Sequence, residues 1–130
     1  MLCPCHSGKP YAECCQPFHQ GVKPEIALQL MRSRYAAYAL QLADYIMATT
    51  HPENPSYSEN RKVWAKQIGH FCQQTLFEGL EIMEWKEGEQ EAFVTFKAIL
   101  KQGGQEASFT EKSRFLKVKG RWLYHSGVML

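Results

Sequence analysis

No stretch of this 130-residue chain reaches the roughly 18 consecutive apolar residues of a membrane-crossing helix. The opening MLCPCHSGKPY has neither the basic start nor the apolar core of a secretory leader. A polybasic run is also missing, and the formal net charge is only +2, so charge points neither to an anionic membrane surface nor to nucleic acid. There is no glycine-rich phosphate loop, no nucleophile elbow and no paired catalytic motif, and hence no catalytic assignment. Internal repeats and low-complexity segments are absent. The expectation is a cytoplasmic protein without a membrane anchor, in which thiols stay reduced and metal binding outranks disulfides.

What is present is enough for one core. Hydrophobic residues make up 45% of the chain, and the length is that of a single domain. The cysteines are distributed unevenly. Four of the five fall within the first fifteen residues, and Cys72 stands alone near the middle.

Residues 1–20 form a cysteine-rich segment punctuated by Pro4, Gly8, Pro10 and Pro17, and 21–24 is a short linker. From Glu25 the apolar period turns helical. Leu28, Met31, Tyr35 and Tyr38 recur at three and four residues and share a face, and Pro24 can open the helix. A break is expected near Gln41 or Leu42, with Asp44 capping a second short helix. Pro52 and Pro55 force a loop. Ser56 and Glu59 have the spacing of a capping box for a third helix over 58–74. After Thr75 the period becomes two, giving strands over 76–86, 91–101, 107–118 and 121–126. Gly88, Gly103–Gly104 and Gly120 sit at the joints. Three helices followed by a four-stranded antiparallel meander read as α+β, with 1–20 as a knuckle and 25–130 as the domain.

Cys3, Cys5, Cys14 and Cys15 are two close pairs eight residues apart. This is the donor set of a closed tetrahedral zinc site, in which two arms of the chain are joined through a turn at Ser7–Gly8. A closed site is structural and supplies folding energy. Backbone N–H groups and Lys9 are candidates to offset its charge. A disulfide pair and redox-sensing thiols are the alternatives. His6 and His19 are spare nitrogen ligands that could stand in for Cys15.

The segment CPCHSGKPYAECC resembles the SEC-C motif, known from the C-terminal tail of the translocase ATPase SecA. It matches at Cys3, Cys5, Ser7, Gly8, Lys9, Tyr11, Cys14 and Cys15, and departs at His6, where glycine is usual. Pro17-Phe18-His19, Leu30 to Tyr35 with Tyr38, Asp44-Tyr45, Thr50-His51-Pro52, Phe93–Phe96, Glu111 to Phe115 and Trp122-Leu123-Tyr124 resemble the YchJ-type family of small bacterial proteins. That resemblance covers essentially the whole chain. It implies a SEC-C zinc knuckle ahead of a nuclear transport factor 2-like domain, in which a curved antiparallel sheet wraps helices into a cone.

The resemblance implies a protein-interaction adaptor, since the similar motif of SecA contacts the SecB chaperone and has been linked to the ribosome. A ribosome or an export chaperone is therefore the expected partner. The second reading is a small-molecule binder or enzyme using the cone cavity, with Arg34, Tyr35, Tyr38, His51, Trp64, Ser113 and His125 as candidate lining. In that reading a histidine beside a carboxylate serves as general base. Arg34, on the apolar stripe, is expected to pair with Asp44, Glu78 or Glu111 as a fold-organising ion pair. RNA binding by the knuckle, with Tyr11 and Phe18 stacking on bases, is the third reading, and the few basic residues disfavour it. The sequence leaves the oligomeric state open.

Overall fold

A computed structural model describes residues 1–130. The knuckle contains a 3-10 turn at Tyr11–Glu13 and a short helix α1 (Gln16–His19). The domain follows with α2 (Ala27–Ala39), α3 (Ala43–Ala48) and α4 (Arg61–Gln74). The strands are β1 (Thr75–Lys86), β2 (Glu91–Gln102), the two-residue β3 (Gln105–Glu106), β4 (Phe109–Val118) and β5 (Arg121–Met129).

The helix starts differ from expectation in instructive ways. Pro24 lies outside α2. The chain is extended at Ile26, and the Gln29 carboxamide oxygen accepts from the N–H of Glu25 and Ile26. The Glu87 carboxylate, from the β1–β2 loop, accepts from Ala27 N, placing negative charge at a helix N-terminus where the dipole favours it. Asp44 sits inside the first turn of α3 and does not cap it. Asn60, in place of Ser56, caps α4 by accepting from Val63 N at 3.2 Å, as an N-cap side chain does.

The antiparallel sheet runs in the order β1-β2-β4-β5, with β3 folded back on β2. Gly103 and Gly104 (φ 58° and 79°) close the β2–β3 turn. Lys119 and Gly120 (φ 51° and 79°) close the β4–β5 hairpin, the left-handed pair that suits a two-residue connection. Register shifts at Phe77/Gly79, Ile82/Glu84 and Arg114/Phe115 mark bulges, which bend strands.

Alternation on β2 buries Ala92, Val94, Phe96, Ala98 and Leu100, and these pack with Leu30, Met31 and Tyr35 of α2. A second cluster joins α3 and α4 through Ile46, Met47, Trp64, Ile68 and Cys72. The sheet therefore presents one face to the helices. Trp64 and Trp122 are buried, whereas Trp85 is exposed on β1.

Candidate metal centre and cone cavity

The knuckle folds back on itself. Cys3 N donates to Lys9 O and Tyr11 N to Met1 O, and Leu2 bridges Pro10. The first turn is closed by His6 N donating to Cys3 O, with His6 itself at φ 61° and Gly8 at φ 87°. Residue 6 thus occupies the left-handed region that glycine adopts freely and other residues rarely do. This is the position at which glycine is usual in the resembling motif.

These turns gather the four Sγ atoms of Cys3, Cys5, Cys14 and Cys15 to within 4.8 Å of one another. Cys5 and Cys14 are 3.6 Å apart, and Cys14 and Cys15 are 3.9 Å apart. A tetrahedron with metal–sulfur bonds of about 2.3 Å has sulfur–sulfur edges of about 3.8 Å. The donor set therefore fits a four-coordinate ion, and no cysteine is in a disulfide. Cys3, Cys5 and Cys15 are buried and Cys14 is half-buried.

Thiols packed this closely compete for protons. The hydrogen bond from Cys15 holds the Cys5 thiol down to about 4. Cys15 is pushed up, first by that same bond and then by burial. Burial pushes Cys3 up to about 11. A metal ion among these sulfurs would favour their thiolate form. The Ser7 hydroxyl donates to Cys14 Sγ, and Arg32 Nη1 donates to Cys5 O at 3.1 Å and lies 3.8 Å from Cys5 Sγ. The sulfurs are thus backed by an arginine from α2, which sequence reasoning missed in favour of Lys9. Its signal was the i,i+4 spacing that puts Arg32 on the same face of α2 as Ala36, which packs on the cysteines.

Both spare histidines are committed elsewhere. His6 Nε2 donates to Phe77 O on β1, and its ring packs edge-on against Tyr35. His19 Nε2 donates to Ser33 O, and its Nδ1 accepts from the Tyr11 hydroxyl. Burial pushes the His19 pKa down, so the neutral ring that these bonds require is favoured.

The second site is a cavity of about 350 Å³ between the helices and the inner sheet face. Of the predicted lining residues, Arg34, Tyr35, Tyr38, Trp64 and Ser113 reach it. His51 and His125 do not. Tyr124 lines the cavity, whereas His125, the extra residue at the β5 bulge opposite Arg114/Phe115, does not. The His125 Nε2 meets Glu53 at 3.0 Å, and its ring centroid lies 4.9 Å from that of His51. No histidine is available as a base inside the cavity.

Arg34 forms no ion pair with Asp44, Glu78 or Glu111. Its Nη1 donates to Ile46 O, Thr49 Oγ1 and Thr50 Oγ1 at 2.8–3.1 Å, and the guanidinium lies 4.7 Å from the Tyr124 ring centroid. The end of α3 supplies the acceptors that a carboxylate was expected to supply. Glu111 and Tyr124 are cavity residues the reading missed. Period-two alternation puts Glu111 on the same face as Ser113 and Phe115, and that was the available signal.

Comparison with known proteins agrees with these observations. The profile of the family described as YchJ, middle NTF2-like domain, matches residues 26–127, and the SEC-C motif matches residues 2–17. The fold is similar to the solution structure of a SEC-C motif containing protein from Rhodopseudomonas palustris. That protein is 35% identical with a TM-score of 0.84, the match covering 100% of this chain and 99% of that one. A SEC-C motif containing protein from Psychrobacter arcticus is 28% identical with a TM-score of 0.77, covering 95% of this chain and 80% of that one. An LEH-like epoxide hydrolase of M. tuberculosis, 16% identical with a TM-score of 0.58 over 82% of this chain and 86% of that one, shares the fold alone. No helix is long and apolar enough to cross a membrane.

Proposed function

The chain belongs to the YchJ family with its middle NTF2-like domain and SEC-C motif, and on that footing we propose that it is a zinc protein whose knuckle is a docking module. The observation that carries the metal is the set of four sulfurs within 4.8 Å of one another. Four thiolates with no oxygen donor favour zinc over hard cations. Zinc bound there supplies the cross-link that keeps residues 1–20 folded. The protein's residues do the rest: Ser7 and Arg32 stabilise negative sulfur, and His6 and His19 fasten the knuckle to β1 and α2. The thiol set belongs to a reducing compartment, the cytoplasm.

The held knuckle leaves Leu2 at 69% and Val22 at 56% exposure, with Lys9 and Glu13 also in solvent. Apolar residues amid charge suit a protein partner. By the SEC-C resemblance, the partner is a ribosome or an export chaperone. The test is capture from lysate under reducing conditions, comparing the native chain with Cys14→Ser and assaying zinc in both. Retention of a ribosomal or chaperone partner by the native chain only, together with zinc, supports the reading. Equal capture by both variants, or capture of neither partner, overturns the docking role. Absence of zinc from the native chain overturns the metal.

A further inference from the structure

Two buried charges of opposite sign line the cone cavity without meeting. Arg34 is 8% exposed and Glu111 is 9% exposed, and they form no ion pair with each other or with any other residue. Burying a charge is costly unless it is paired or hydrogen-bonded, and neither group has a partner of opposite charge. Each of these groups is instead held in place by part of its hydrogen-bonding capacity, and the rest is left free.

For Arg34, all three hydrogen bonds use Nη1. Nε and Nη2 have no protein acceptor, yet no side-chain nitrogen or oxygen is both sealed from solvent and unpartnered. Those donors therefore open onto the cavity that Arg34 lines. For Glu111, the hydroxyls of Ser113 and Tyr124 both donate to Oε2, and Oε1 is free in the same sense. Gly127 packs directly against this carboxylate, where a Cβ would overlap it and approach the Tyr124 hydroxyl to 2.7 Å. The carboxylate is thus built into place from three sides. The Tyr124 ring stands between the two groups, stacked on Arg34 and bonded to Glu111. The lining as a whole is mostly apolar, 13 of 18 residues, which is the usual make-up of a small-molecule site with a few converging polar groups.

We propose that this cavity binds a small carboxylate with an apolar, ring-sized body and one hydrogen-bond donor. The carboxylate engages the free Nε and Nη2 of Arg34 side by side, the geometry in which guanidinium recognises carboxylate. The donor reaches Glu111 Oε1. The body lies against Phe96, Phe109 and Trp64. A cavity of about 350 Å³ falls near the lower end of small-molecule pockets, which sets the ligand at roughly ten to fourteen non-hydrogen atoms. No residue of the knuckle lines the site.

The test is titration of the full chain followed by amide NMR. The probes are phenylacetate, 4-hydroxyphenylacetate and indole-3-acetate, each compared with its primary amide. The expected result is saturable binding of the acids, about tenfold or more tighter than the amides, as loss of a charge-assisted pair implies. The shifts should centre on α2, β4 and β5. Methylating the indole nitrogen should weaken binding several-fold, and Glu111→Gln should remove that difference. Arg34→Lys should lower the acid preference. Because Arg34 also anchors α3, Ala98→Phe is the second variant: it fills the cavity from β2 and should abolish binding while leaving the amide spectrum folded. Equal affinity for acids and amides, shifts centred outside the cavity, binding unaffected by Ala98→Phe, or no saturable binding of any acid would each overturn the proposal.

Discussion

Breaking the proposed zinc clasp should loosen the knuckle without unfolding the domain. Side-chain hydrogen bonds at three residues tie the knuckle to the domain: His6 to Phe77 O at 3.1 Å, His19 to Ser33 O at 2.8 Å, and Arg32 to Cys5 O at 3.1 Å, with Cys5 Sγ 3.8 Å from the same nitrogen. Each is worth about 1 kcal/mol net, so their joint loss costs about 3 kcal/mol. Ala36, fully buried against Cys3, Cys5 and Cys15, would be uncovered as well. The main cores, around Leu30 and Phe115 and around Trp64 and Ile68, contain no knuckle residue and should survive. For a chain of this size the loss corresponds to a Tm lower by about 10 °C. Calorimetry of the native chain and of Cys14→Ser in reducing buffer measures the shift, and amide exchange locates it. Protection should vanish in residues 1–20 and persist in α2 and β2. An unchanged Tm would refute the clasp, and simultaneous loss of protection throughout would refute the separability of knuckle and domain.

Other predictions concern single side chains. Leu30→Ala, at a fully buried position of the main core, should cost about 3–5 kcal/mol by urea unfolding, the range for a buried leucine that leaves a cavity. At residue 6, His6→Ala should cost about 1 kcal/mol by losing the bond to Phe77 O while keeping φ at 61°, and His6→Gly should be about 1 kcal/mol more stable than His6→Ala because glycine tolerates that backbone; equal stabilities would refute the strain. Tyr35 donates to Gly79 O, and burial pushes its pKa up from 10.0 to about 12. The folded state therefore favours the phenol, and this contribution is complete below pH 10 and lost as pH rises toward 12. Tyr35→Phe should be less stable at neutral pH and should show a shallower loss between pH 10 and 12 in urea unfolding at each pH.

The order of elements was legible because its signals are local and periodic. Met31 and Tyr35 fall on the buried face of α2, and alternation from Ala92 to Leu100 marks a strand with one face inward. Helix starts were not legible where the cap comes from far away: the partner of Ala27 N is Glu87, sixty residues on. The cysteine set could be read because all four lie within fifteen residues and the chemistry of sulfur narrows the metal. The cavity could be read only in part. Helical spacing put Tyr35 and Tyr38 on one face of α2, but nothing local told that Thr49 and Thr50 would satisfy Arg34. His125 was a cavity candidate, but it falls at the β5 bulge, which no local signal revealed, and its ring meets Glu53 and His51 instead.

The central claim is one metal ion held by four sulfurs, and X-ray absorption at the zinc edge of the purified native chain, with metal content measured on the same sample, tests it most directly. The expected result is one zinc per chain with four sulfurs at about 2.3 Å and no nitrogen scatterer, since both spare histidines are committed elsewhere. A nitrogen in the first shell, fewer than four sulfurs, or a chain purified without bound metal would contradict it.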